Sequence, residues 1–534
     1  MPEPAVRQIY IEGRWRDSTA VGTFQARNPM TGKPLPSRFP NSSWEDCDRA
    51  LDAAQAAFCV LREAQPSQIA DFLDRYATTL EAGKDEIVAA AQLESGLPAI
   101  PRLRDVELPR TVGQLRQAAA AARTSSWRQP TIDTGANIRS YLAPIGPVCV
   151  FGPSNFPLAF SGAAGGDFAA AIAAGNPVIA KAHPLHPETA RSLTNRVAEA
   201  IAESGLPAAT LQLLYHMEPE VGERLVSDPR LAATSFTGSR TAGLRLKRAA
   251  DAAGRLIYVE LSSVNPVVIL PGALVERSTE IADEFCSSAL MAGGQFCTNP
   301  GLVILISSEE SEAFVREAAG QFTERPAGRL MSAGIVAALE QGVAALLSAG
   351  AELVGKGTAN EEGFVHANTL LRVSARRFRE NPSVFQAEAF GNASLIVMAS
   401  SIDEAANVMT ELEGNLTGSI YSAKNGADDE AYALIARTLR PRVGRLLNDK
   451  MPTGVAVSPA MNHGGPFPAS GHPYFTAVGI PASIRRFCML QCFDGVREHR
   501  LPPLLQDANP SGAWRLIDGD WTQAEIGRSP STPL

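Results

Sequence analysis

Cysteine is scarce in this chain of 534 residues: there are seven, an odd number, scattered without a Cys-x-x-Cys pair. That excludes a disulfide framework and a zinc-ribbon fold and predicts a reducing compartment, the cytoplasm being the expected location. No secretory segment is read at the N-terminus. Long apolar runs are missing as well. The Ala-rich stretch Phe168 to Ala174 stops at Gly175-Asn176-Pro177, far short of the roughly 20 residues that cross a bilayer, so no membrane partner is expected. Basic residues are in deficit, 48 Lys and Arg against 56 Asp and Glu, with both signs interspersed. Without a basic stripe to neutralise phosphates, nucleic acid is not an expected partner. Metal spacing is nearly absent. His183-x-x-His186 sits among prolines with no third ligand nearby, and no metal is predicted. Nor is there a Gly-x-Gly-x-x-Gly fingerprint.

The chain does have enough apolar residues, 45% of the total, to build two or three domains. Residues 45 to 122 read as helices, with amphipathic stretches such as Ala50 to Val60 and Gln68 to Leu80. From Pro147 short apolar runs alternate with helical patterns. The runs are Val148 to Phe151, Val178 to Ala180, Leu211 to Leu214, Ala232 to Phe236 and Leu256 to Val259; the helices are Gly165 to Ala174, Pro187 to Glu203, Glu218 to Ser227 and Arg240 to Ala252. Such alternation predicts an α/β fold with a parallel sheet covered by helices. A second alternating segment follows Asn265-Pro266, with Leu302 to Ile306 and Leu395 to Met398 as strands, and places a boundary near residue 264. The end, Ser529 to Leu534, is predicted to be mobile.

Chemistry concentrates at Gly293-Gly294-Gln295-Phe296-Cys297-Thr298-Asn299-Pro300-Gly301, a thiol among three glycines where backbone amides can approach a small ligand. Lys181 ends a predicted strand, at the carboxyl edge where open parallel sheets bind ligands. Gly238 and Gly243 bracket a strand-to-helix turn through Ser239, whose helix N-terminus offers free amides to a pyrophosphate. Each feature also has a plain structural reading: a packed cysteine, a solvated lysine, permissive turn glycines.

Taken together, Ser154-Asn155-Phe156-Pro157-Leu158, Thr237-Gly238-Ser239, Glu260-Leu261-Ser262-Ser263 and the Cys297 segment stand in the order and spacing of the aldehyde dehydrogenase superfamily. The chain resembles that family almost end to end. The resemblance implies an aldehyde dehydrogenase fold: a Rossmann-like dinucleotide-binding domain over 1–125 and 146–264, an α/β catalytic domain over 265–477, and a small oligomerisation region with C-terminal tail over 126–145 and 478–534. Homodimers or homotetramers are then expected. It further implies that the Cys297 thiolate attacks an aldehyde, that the Asn155 amide and the Cys297 N–H form an oxyanion hole, and that Glu260 is the base for thioester hydrolysis. The cofactor is held by Lys181, Gly238, Ser239 and Gly243, with Glu388 and Phe390 of Glu388-Ala389-Phe390-Gly391 at the nicotinamide ribose. Where many NAD-using relatives carry a Glu after the lysine, this chain has Pro184. NADP is therefore admissible alongside NAD, with Lys181 or His183 pairing the 2'-phosphate.

Lys181-Ala182-His183-Pro184, Pro452-Thr453-Gly454-Val455 and His463-Gly464-Gly465-Pro466-Phe467-Pro468-Ala469 are similar to the 2,5-dioxovalerate dehydrogenase branch, which oxidises α-ketoglutaric semialdehyde to 2-oxoglutarate. For such a substrate Arg110, on a predicted helix Glu107 to Ala118 and one turn from Gln114, is the expected anchor of the far carboxylate; Phe156 and Phe467 are expected apolar walls. The same branch contains NADP-linked long-chain aldehyde dehydrogenases, the nearest alternative, and a catalytically silent relative is the alternative of another class. Cys488 and Cys492, one helical turn apart if that segment is helical, are expected to be packing residues.

Overall fold

Five of the predicted apolar runs become strands of one sheet because each is flanked by turn residues and buried on both faces. The computed structural model describes residues 5–20 and 22–527, and the predicted mobile end, Ser529 to Leu534, lies outside them. The first sheet runs, in spatial order, Leu256–Glu260, Ala233–Thr237, Val148–Phe151, Val178–Lys181, Leu211–Leu214, Ile9–Ile11, Arg14–Arg16. Its first five strands are mutually parallel. The last two, a hairpin near the N-terminus, add antiparallel and were not expected. Chain order reverses on either side of Val148–Phe151, so a topological switch point opens beyond that strand's carboxyl end. Phe151 lies beside Lys181, and Thr237 beside Glu260.

The strands of the second sheet all come after residue 264. Its order is Glu352–Lys356, Thr369–Ser374, Ala393–Ala399, Leu302–Ile306, Val267–Ile269, Asn415–Tyr421, Val443–Asn448, parallel except at its first pair. Asn415–Tyr421 carries buried polar side chains. Asn415 Oδ1 accepts from the Val264 and Asn265 amides at 3.0 and 3.2 Å, and Thr417 Oγ1 donates to Asn265 Oδ1 at 2.9 Å. Those bonds tie the second sheet to the segment leaving Glu260.

A third sheet pairs Cys488–Asp494, Ile138–Pro144, Thr131–Asp133, Arg515–Ile517 and Asp520–Thr522. Cys488 and Cys492 therefore lie on a strand, opposite Pro144 and Ser140, and not on a helix. Pairing with Ile138–Pro144 satisfies their backbone groups, which outweighs local helical spacing.

Helices Trp44–Leu61, Pro66–Ala82, Lys84–Ser95 and Leu108–Thr124 form the predicted α-rich region. Ser43 caps the first reciprocally with Asp46, a box that satisfies two orphan donors. The aldehyde dehydrogenase-like α/β layout expected of the sequence is the one observed. Among the described residues no helix is long and apolar enough to cross a membrane.

Candidate active site

The helix Pro271–Leu290 ends in a turn, Met291–Gly294, in which Ala292, Gly293 and Gly294 all take positive φ. A Cβ at Gly294 would lie 2.1 Å from the Gly391 carbonyl oxygen, so only glycine lets this loop close on the segment after Phe390. Gln295 then locks the turn: its amide donates to the Ala292 and Arg329 carbonyls, each at 2.9 Å, and accepts from the Met331 amide at 3.0 Å. Asn265 Nδ2 holds the Cys297 carbonyl at 2.9 Å. Cys297 is left half-buried on a fixed loop.

Glu260 ends its strand fully buried, and the residue that meets it is His463. The loop that carries His463 is pinned along the strand end, where the Leu261 amide donates to Ala469 O at 2.8 Å and Glu260 bridges Ser470. The His463 amide donates to Thr476 Oγ1 at 3.0 Å. His463 Nε2 thereby sits 3.3 Å from Cys297 Sγ and 3.1 Å from Glu260 Oε1. The thiol, imidazole and carboxylate ligating atoms all lie within 4.8 Å of one another. Burial alone would push the imidazole toward neutrality, but Glu260 and Cys297 together outweigh it and raise His463 to about 10. The imidazolium is stable there only because two acidic groups face it. His463 was not singled out from the sequence. The signal was its motif, His463-Gly464-Gly465-Pro466, which marked a branch but no role.

Asn155 follows the switch-point strand and its Nδ2 donates to Gln295 O at 2.9 Å, two residues from Cys297. The Cys297 N–H has no acceptor among the described residues. Two further residues shape this turn and were missed by sequence reasoning. Glu107, fully buried, accepts from the Leu158 and Ala159 amides at 2.8 and 3.0 Å and pairs with Arg102. Arg102 in turn donates to the Asn155 carbonyl at 3.1 Å and lies 4.4 Å from the centre of the Phe156 ring. Phe156 packs edge-on to Phe296, 5.6 Å between centroids, beside the thiol. Phe467 is 61% exposed and forms no such wall; its loop is held by backbone at Gly414, which leaves the ring outside.

Arg110 is not a solvated surface residue. Its Nη1 donates to Val455 O, while Nε and Nη2 are sealed without an acceptor. Burial lowers its pKa, and the nearby Cys297, Glu107 and Glu260 oppose that fall. Gln114, one turn on, packs toward Gly166 instead.

On the other side of the crevice the groups stand apart. Lys181 ends its strand with no ion pair among the described residues, and burial lowers it to about 8. His183 stacks on His186 at 5.2 Å and is held well below its ordinary range by burial, then by His186 and Lys181. A neutral His183 supplies a hydrogen bond but no charge. Ser239 caps Arg240–Ala252. Gly238 and Gly243 do not need positive φ; a Cβ would fall 2.9 Å from the Phe236 ring and 2.2 Å from Leu261 Cδ2, so they allow close helix-to-sheet packing. Glu388, with the Ser262 hydroxyl and Ser263 amide as partners, is raised to about 7 by burial. It lines a cleft with Phe390, Gly294 and Asn299. A half-buried ammonium without an anion, a helix N-terminus and a carboxyl able to accept from hydroxyls are the donors and acceptor a dinucleotide needs.

The chain belongs to the aldehyde dehydrogenase family, whose model matches residues 15–465. It is 39% identical over 514 residues to alpha-ketoglutaric semialdehyde dehydrogenase 2 of Azospirillum brasilense, covering 94% of this chain and 96% of the relative. It is 34% identical over 533 residues to the alpha-ketoglutaric semialdehyde dehydrogenase of Acinetobacter baylyi, covering 96% and 98%. The fold matches a variant of aldehyde dehydrogenase C from Pseudomonas syringae, solved with NAD+ and octanal, at a TM-score of 0.78 and 22% identity over 93% of this chain and 98% of that one. A 3,6-anhydro-L-galactose dehydrogenase in complex with NAP matches at 0.78 and 20% identity, covering 92% and 99%.

Proposed function

We propose that this protein oxidises α-ketoglutaric semialdehyde to 2-oxoglutarate with NADP or NAD, through a thioester on Cys297. The observation that carries the reading is near end-to-end similarity to two α-ketoglutaric semialdehyde dehydrogenases, at 39% and 34% identity, joined to a thiol in hydrogen-bond contact with His463. His463 Nε2 hydrogen-bonds the Cys297 sulfur, as in other Cys–His nucleophiles. The thiolate adds to the aldehyde carbon; the resulting oxyanion is received by the Cys297 N–H and the Asn155 amide, which turns from Gln295 O. When bound, the nicotinamide is the acceptor for the hydride lost from that carbon, leaving a thioester. Glu260 then takes the proton of the water that attacks the thioester. Hydrolysis frees the carboxylate and restores the thiolate.

Lys181, Ser239 and the turn between Gly238 and Gly243 would hold the dinucleotide phosphates and adenosine ribose, His183 would donate a hydrogen bond at the 2'-position, and Glu388 with Phe390 would hold the nicotinamide ribose. Arg110, with two unpaired nitrogens, supports the anchoring of the substrate's far carboxylate, and Phe156 its apolar wall. The first sheet and its helices are read as the dinucleotide-binding domain, the second as the catalytic domain. The third sheet exposes Leu490, Met489 and Trp521, which supports its reading as the homo-oligomer contact. Seven free cysteines support a cytoplasmic location.

An assay of purified protein with α-ketoglutaric semialdehyde and a long-chain aldehyde, each with NAD and NADP, tests the reading. Higher kcat/KM for the semialdehyde supports it. Preference for the long-chain aldehyde replaces the substrate and keeps the Cys297 chemistry.

A further inference from the structure

Arg445 lies on the strand Val443–Asn448 of the second sheet, on a different layer from the helix that carries Arg110. Its hydrogen-bonding is poor. Nη2 donates to the Pro452 and Gly454 carbonyls at 3.1 and 3.3 Å, Nη1 meets only the thioether of Met461 at 3.6 Å, and Nε is sealed without an acceptor. No carboxylate pairs with Arg445 or with Arg110 among the described residues. A thioether is a weak acceptor, and a guanidinium held out of water is costly unless an anion meets it.

The two arginines share one loop. Arg110 donates to Val455 O, the carbonyl next to the Gly454 O held by Arg445. The Gly454 amide also reaches Thr298 Oγ1 at 3.3 Å, the residue adjoining the nucleophile. Both guanidiniums feel the charge of Cys297, yet neither is bonded to its sulfur, whose partner is His463. The Cys297 sulfur thus has its own partner, and no acceptor of the protein takes up Arg110 Nε and Nη2 or Arg445 Nε.

We propose that Arg445 and Arg110 form a carboxylate-binding subsite around the loop 452–455, and that Arg445 sets the preference for aldehydes bearing a carboxylate at the far end. The inference rests on the oxo-acid reading of the substrate and adds to it a second cation from the other sheet. Arginine suits the task because its planar fork matches a carboxylate in two bonds.

The test compares α-ketoglutaric semialdehyde with pentanal, a neutral aldehyde of the same length, in wild type, Arg445→Met and Arg445→Lys. Inhibition by glutarate is measured for each protein. Arg445→Met is expected to cut the ratio of kcat/KM values, semialdehyde over pentanal, by about 10- to 100-fold, the size of a lost charged hydrogen bond, mainly through KM. Glutarate inhibition should weaken by a similar factor, and Arg445→Lys should recover part of both. Equal losses on both aldehydes, or unchanged glutarate inhibition, would overturn the subsite. Should the methionine variant fail to fold, phenylglyoxal labelling of wild type decides: glutarate must protect Arg445 where pentanol does not, and labelling unaffected by glutarate overturns the proposal. A wild type that prefers pentanal sinks the substrate reading itself, whereas a wild type that prefers the semialdehyde with an unchanged ratio in Arg445→Met sinks the subsite alone.

Discussion

The two sides of the crevice are electrostatically opposite: Glu260 and His463 are fully buried against each other, whereas Lys181, His183 and Glu388 are half-buried. At the nucleophile, Cys297, His463 and Glu260 face one another, and mutual contact keeps the imidazole charged up to about 10. On the cofactor side, none of Lys181, His183 and Glu388 faces a group of opposite charge in an ion pair among the described residues. Burial lowers Lys181 to about 8, pushes His183 well down and lifts Glu388 to about 7. Burial discharges ionisable groups unless partners oppose it, so one side arrives assembled and the other waits for a ligand to supply its partners.

The harshest way to break the comparison is to remove the nucleophile. Cys297→Ser is expected to bring aldehyde oxidation to the assay floor, with no acyl-enzyme detected by mass spectrometry. Glu260→Gln should still form the thioester: a burst of reduced cofactor followed by turnover slowed roughly 10²- to 10⁴-fold, read by stopped-flow absorbance. A normal steady-state rate in that variant would assign the base elsewhere.

His463→Gln removes the shared cation. Alkylation of Cys297 by iodoacetamide at neutral pH should slow by about a hundredfold, and kcat should fall with it. Stability sharpens the same point. Because the folded imidazole titrates near 10 against an ordinary 6.5, its stabilisation is complete below about 6.5 and fades as pH climbs through about 10. The Tm gap between wild type and His463→Gln should shrink across that interval; a constant gap would deny the charged histidine.

The smallest effect lies across the crevice. Free Lys181 is an ammonium below about 8, and phosphate binding favours the ammonium, so NADP affinity should weaken as pH rises through about 8. Lys181→Met should lower affinity roughly tenfold and flatten that pH dependence, as followed by quenching of protein fluorescence.

How much of this was legible beforehand follows from where the information resides. Strands such as Val148–Phe151 and Leu302–Ile306 are uniformly apolar and short, and they announce themselves. Asn415–Tyr421 does not, because its buried Asn and Thr are satisfied by partners some 150 residues away. The hairpin near Ile9 is hidden for a similar reason, since its place is set by pairing with Leu213. Cys297, Glu260 and Asn155 were read from motifs. His463, Arg102, Glu107 and Arg445 were not, because each acquires its role only from a contact across the fold, and an isolated histidine or arginine carries no local mark of it.

The meeting of Gly294 with the Gly391 carbonyl has a further consequence. Where Gly294 meets Gly391 and Asn392, main chain faces main chain, with the Asn299 amide alongside, 3.4 Å from the Gly391 carbonyl. The gap is therefore a gauge that point substitution cannot widen by degrees: any residue larger than glycine at position 294 collides. Side chains elsewhere around Cys297 can change size and charge by degrees, while the spacing of these two backbones is held as long as the glycine is kept.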